Sequence, residues 1–241
     1  MPREDFPAAH SMDSAWFAVD RDGFVAYFYT GEAGAMPRVG YTGEEAFELQ
    51  GILIRDLPTT DILYDPRGRV LPGQPSMPLD LRDYSTLLFL SHLGPVQSDI
   101  EAGRATAVRA TEGYAVTVRR VTAELFRRLT DSGALVGWDY HFDESENSFL
   151  ARHGLYEYGH LCENWVSGPY GRKRVPGVPV HVDQLKPNIR TNLKQAHLPN
   201  LRFADTNYLQ PAEHWDCASH EEHWLGLDGV TREFGERSEG E

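Results

Sequence analysis

The sequence predicts an α+β fold, mostly antiparallel sheet with a few short helices, and three observations carry that expectation. Aromatic and β-branched residues gather in short runs of strand length, separated by Gly- and Pro-bearing turns. Helical periodicity is confined to a few short stretches, around residues 42–57, 122–132 and 188–195. Strand runs outnumber these and do not alternate with long helices, as parallel βαβ crossovers would require. The 241 residues suffice for one globular domain with a sizeable core. Within it, an N-terminal lobe (15–95) and a C-terminal lobe (104–234) are expected to meet near residues 94–104, with 1–14 and 235–241 disordered.

The sharpest signal is WFAVDRDGFVAYFYTGEAGAMP at residues 16–37. Trp16, Phe17 and Val19 suit a pleated, half-buried surface, and Val25, Tyr27, Phe28 and Tyr29 repeat the character beyond Asp20-Arg21-Asp22-Gly23. Asp22-Gly23 supplies the positive φ of a hairpin turn; Gly31, Gly34 and Pro37 then end the pairing. Thr42-Gly43-Glu44-Glu45 matches a capping box, so a helix is expected from there, with Ala46, Phe47, Leu49, Gln50 and Ile54 on its apolar side and Leu57-Pro58 as its stop. From 59 to 80 the many Pro and Gly residues leave room only for a short strand at 62–64.

Residues 85–91, STLLFLS, read as a central strand buried on both faces. Residues 106–109 and 114–119 make a second hairpin about Glu112-Gly113. The clearest helix is 122–132: Thr122 caps it, Leu125, Phe126 and Leu129 form its stripe, and Gly133 stands at the left-handed C-terminal position. Strand character resumes at 135–142 and 155–158, Pro169, Pro176, Pro179 and Pro187 keep 168–187 extended, Ile189 and Leu193 mark a short helix, and 201–204 reads as a short strand.

The residues at 16–37 also resemble a pattern, W-F-A-V-D-x-D-G-x-V-A-x-F-x-T-G-E-x-G-x-x-P, found in a group of bacterial proteins of myxobacterial and actinobacterial type. Gly154-Leu155-Tyr156, Glu163-Asn164-Trp165, Pro169-Tyr170, residues 179–185 and Leu209-Gln210-Pro211-Ala212-Glu213-His214 resemble that group's closing half. The resemblance implies a bacterial origin and a shared fold. It brings no activity with it, and it leaves residues 49–133 unplaced.

Only Cys162 and Cys217 are present, which implies no disulfide framework and favours a reducing compartment. Residues 1–16 lack the apolar core of a signal peptide, and no run reaches the roughly 18 apolar residues of a membrane span. A cytoplasmic protein with no membrane partner is expected. A net charge of −13 disfavours nucleic acid unless basic residues segregate. Some segregation exists, in 104–128 and in 172–202, the latter with Arg172, Lys173, Arg174, Lys186, Arg190 and Lys194. Pairing of these residues with acidic ones across the surface is the plainer expectation.

Candidate chemistry centres on His214-x-x-Cys217-x-x-His220-x-x-His223, whose imidazole and thiolate groups are the ligands zinc prefers. On a regular helix the outer two histidines would stand about 13 Å apart along the axis and on opposite sides, so only two or three of the four converge, with His181, His160 or Cys162 as further ligands. A helix covering the core through Trp215 and Trp224 is the plainer alternative. His160, Cys162, Glu163 and Asn164 hold the residue types of a cysteine nucleophile site, but adjacency in sequence does not build such a site. Asp139, Asp143, Glu144 and Glu146 lack the order of a calcium loop. Phosphate-loop, dinucleotide, G-x-S-x-G and H-E-x-x-H motifs are missing from the sequence, His220-Glu221-Glu222-His223 falling one residue short of the last.

The leading expectation is a non-enzymatic binding protein without a cofactor, in one version a toxin-neutralising or defence-associated protein whose acidity suits a basic partner. A zinc hydrolase or structural zinc protein built on residues 214–223 is the second reading. A nucleic-acid binder is the third.

Overall fold

The computed structural model describes residues 14–31, 34–37, 39–65, 86–139, 149–160, 169–215, 217–218, 223–225 and 231–233. Of the expected disordered ends, 1–14 and 235–241, residues 1–13 and 235–241 lie outside them, while Ser14 is buried as the first residue of a strand.

The hairpin forms as expected. Strand β1 (Ser14–Asp20) pairs antiparallel with β2 (Val25–Gly31), setting Trp16 opposite Phe28 and Val19 opposite Val25. Gly23 has φ +86°, and the His181 ring lies so close that a Cβ at Gly23 would stand 2.1 Å from Nε2. The turn's other anchor is Asp20, fully buried: its Oδ1 accepts the Asp22 and Phe24 amides, and its Oδ2 accepts the Phe203 amide. β1 is buried along its whole length, more than the half-burial its residues suggest. Alternation sends Ala15, Phe17 and Val19 into one core and Trp16 and Ala18 into another, so the sheet is covered on both sides.

After the short β3 (Met36–Pro37), residues 41–43 run beside β1: Phe17 donates to the Tyr41 carbonyl, Thr42 bridges Trp16, and the Gly43 amide donates to Ala15. Helix α1 (Glu44–Asp56) therefore starts from Gly43 at φ +61° with no side-chain cap, and the expected capping box of Thr42 and Glu45 does not form. Backbone pairing holds Thr42 at the sheet edge instead of at the helix cap, which Gly43 takes. The helix stops at Leu57-Pro58 as expected, and β4 (Ile62–Tyr64) follows.

β5 (Thr86–Leu90) is buried at every position. Beyond it come a 3-10 turn at 94–96, α2 (Gln97–Glu101), β6 (Ala105–Arg109), β7 (Tyr114–Val118), α3 (Ala123–Asp131) and β8 (Leu135–Asp139). The strands make one antiparallel sheet in the order β6-β7-β5-β8, so β5 is central as its sequence predicts. The Thr122 hydroxyl accepts from the Leu125 amide. At the other end Gly133, φ +65°, donates to Thr130 and Ala134 donates to Leu129, the two bonds of a Schellman motif.

Next are β9 (Tyr156–His160), β10 (Tyr170–Pro176), α4 (Pro187–Leu193), β11 (His197–Leu198) and β12 (Tyr208–Leu209). The large sheet runs β11-β1-β2-β9-β10-β12, with β4 also on β10. Its β1/β11 and β2/β9 pairings are parallel and the others antiparallel.

Residues 201–204 are not a strand, because their polar backbone is claimed elsewhere. Asp20 takes the Phe203 amide, while the Arg172 guanidinium donates to the Phe203 and Ala204 carbonyls, the Asn207 side chain and buried Asp65. A second buried pair joins Arg174 to Glu157 at 2.6 Å, with the guanidinium 3.5 Å above the Phe149 ring.

The two larger sheets draw on different parts of the chain. Strands β1, β2, β4 and β9 to β12 build the large sheet, and β5 to β8 build the small one. The small sheet packs α2 and α3 on one face, while Leu87, Phe89 and Ala115 on the other meet Tyr64 of β4. Thr111 ties the two together by donating its amide and hydroxyl to the Tyr64 carbonyl. The 94–104 segment carries α2 and packs Val96 and Ile100 against the small sheet's core. No helix among the described residues is long and apolar enough to cross a membrane.

Candidate functional site

Helix α1 places an exposed acidic face over the large sheet. Ala46, Leu49 and Leu53 lie within an arc of about 60° at 100° per residue, and all three are buried against Ala15, Phe17 and Tyr27. Glu44, Glu48, Gly51 and Arg55 fall on the opposite arc and are exposed, as are Glu45 and Asp56 on one flank. Phe47, on the other flank, is 40% exposed. Hydrogen bonds from Arg55 and Lys186 hold the Asp56 carboxyl below its ordinary range. The sequence reading placed Phe47 on the apolar side. The signal against it was present, since Phe47 falls outside the arc that Ala46, Leu49 and Leu53 define.

Gly51 sits on the crest of this face, one turn from Phe47. Beyond its neighbours and its own helix backbone, nothing approaches within 4 Å of the position a Cβ would take there. A glycine inside a helix costs about 1 kcal/mol against alanine, and packing within the chain does not require it.

The second surface feature is a cleft of about 310 Å³ lined by Val19, Arg21, Asp22, Gly23, His181, Val182, Lys194 and His197. Four segments converge on it: the β1–β2 turn, the 3-10 turn that His181 caps, the C-terminus of α4, and β11, whose His197 lies in register with Val19. Asp22 pairs with Arg202 and lies 3.6 Å from Arg21. Asp183, just outside, pairs with Lys194 at 3.0 Å and Arg190 at 3.7 Å, and the Lys194 hydrogen bond holds its carboxyl below the ordinary range. The Asp22 hydrogen bond likewise raises the Arg202 guanidinium. No sequence motif marked this cleft, because its residues come from separate parts of the chain.

The sequence-predicted metal residues are only partly described. His214 is exposed, its ring 5.7 Å from that of Trp215. Cys217 begins β13 (Cys217–Ala218), which pairs with Pro37 and Met36, and His223 begins β14 (His223–Leu225), which pairs with β15 (Thr231–Glu233). The backbone is extended at both places, so the helical spacing considered for these residues does not apply. His220 lies outside the described residues. Among the described residues no three His, Cys, Asp or Glu side chains gather as a metal site. His160 ends β9 with its ring 5.8 Å from that of Tyr170, whereas Cys162, Glu163 and Asn164 lie outside the described residues, as do Asp143, Glu144 and Glu146.

Of the basic residues, Arg172 and Arg174 are buried in their ion pairs and cannot reach a phosphate backbone. Lys186 pairs with Asp56, while Arg190 and Lys194 pair with Asp183.

No protein-family model matches the chain, and none of the curated proteins or solved structures it was compared with matches it either.

Proposed function

We propose that the protein is a non-enzymatic binding protein that receives a basic protein partner on the outer face of α1, in the manner of a bacterial toxin-neutralising or defence-associated protein. One observation carries the reading: Phe47 stands 40% exposed beside the helix face that bears Glu44 and Glu48. An aromatic anchor ringed by charge is the usual composition of an interface hot spot. Gly51, one turn on, gives a partner's backbone room to approach. The net charge of −13 adds a long-range field that speeds encounter with a basic protein and repels acidic ones.

The test is calorimetric titration with the purified basic product of a neighbouring gene. The reading expects one-to-one binding that weakens with salt, falls by roughly thirtyfold or more in Phe47→Ala, as a hot spot requires, and also falls in Glu44→Lys/Glu48→Lys. A neighbourhood whose basic products do not bind, or binding that all these variants retain, contradicts it.

A further inference from the structure

The geometry points to a binding site for a small phosphorylated molecule in the cleft beside the β1–β2 turn, with Arg21, Lys194 and His197 receiving the phosphate. This site is separate from the α1 face. The cleft and its rim hold four permanent cations, Arg21, Arg190, Lys194 and Arg202, against three carboxylates, Asp22, Asp183 and Asp205. A local surplus of one positive charge in a chain of net −13 sets this cleft apart as a place for an anion.

The cations are also placed for it. Arg21 and Lys194 are about half exposed, so their heads can turn to a ligand; the guanidinium fork suits a phosphate bidentately and the ammonium suits it as a point charge. His197 lines the same cleft from β11. The His181 Nδ1 accepts the Asp183 amide, which makes Nε2, beside Gly23, an N–H donor. Val19, Gly23 and Val182 supply the uncharged part of the lining.

Size selects among phosphates. A volume of about 310 Å³ is at the small end of ligand pockets. It fits a sugar phosphate or the ribose phosphate of a mononucleotide, and the overall charge of −13 opposes a polymer.

The test is calorimetric titration with ribose 5-phosphate, with inorganic phosphate and with acetate. Saturable binding of ribose 5-phosphate, tighter than that of inorganic phosphate, is expected, with none for acetate. Arg21→Ala and Lys194→Met should each weaken it by roughly tenfold or more, the loss of one charge-assisted bond. Phe47→Ala should leave it unchanged, which separates this site from the partner surface. Equal binding of the two phosphates would identify free phosphate as the ligand and keep the site. Lack of saturable binding by either phosphate, or full retention in both Arg21→Ala and Lys194→Met with unaltered thermal midpoints, overturns the proposal.

Discussion

Tyr158 shows how a single buried polar group ties distant parts of this chain together. Its ring stacks on Phe28 at 4.8 Å, and its hydroxyl donates to the Thr206 carbonyl at 2.7 Å. Arg172 reaches the same 203–207 loop from the neighbouring strand. Removing one member of a buried ion pair such as Arg172 and Asp65 costs about 3–5 kcal/mol, because the other charge is left unpaired. Burial raises the Tyr158 phenol far above its ordinary value, so the folded state keeps the proton that the unfolded chain releases near pH 10. A raised value gives stability that is complete below the unfolded value and is lost as pH rises past it. Stability should therefore fall by about 1.4 kcal/mol per pH unit above pH 10 through this residue alone. Urea unfolding between pH 9 and 11 should show that slope reduced by about this amount in Tyr158→Phe. Parallel pH profiles for the two proteins would show that the hydroxyl ionises freely in the fold.

Among the elements, the two helix starts separate a formed cap from an unformed one. Thr122 accepts from the Leu125 amide, whereas Thr42 bridges the sheet edge and leaves α1 to begin at Gly43. Thr122→Ala should cost about 1 kcal/mol. Glu45→Ala, which removes only the carboxylate of the expected box, should stay within about 0.5 kcal/mol, as for an ordinary surface change. Equal losses in chemical denaturation would mean that the Thr42 box does form. What was legible follows the same physics. The hairpin and α3 could be read because pattern, turn residue and cap agree locally. β11 and β12 could not, since two-residue strands exist only because β1 and β10 offer edges to pair with. Residues 201–204 read as a short strand, yet their backbone bonds go to Asp20 and Arg172, which no local pattern reveals. Phe47 was misassigned although the helical arc was in the sequence. The cleft was invisible because it joins residues from 19 to 197.

At the scale of the molecule, the α+β architecture places its two distinctive surfaces on one sheet. α1 covers the Ala15 and Phe17 end of β1, and the cleft opens at the Val19 end. The small sheet is joined to this body through Tyr64 and Thr111. On the proposed reading, one element of this layout recognises a protein while another part of the same sheet takes a small anion. The most direct measurement of the central claim is backbone amide NMR of the protein titrated with its basic partner. Shifts and broadening concentrated in residues 44–57, with residues 86–139 unchanged, are the predicted result; perturbation centred on the small sheet, with the α1 amides unmoved, would contradict it.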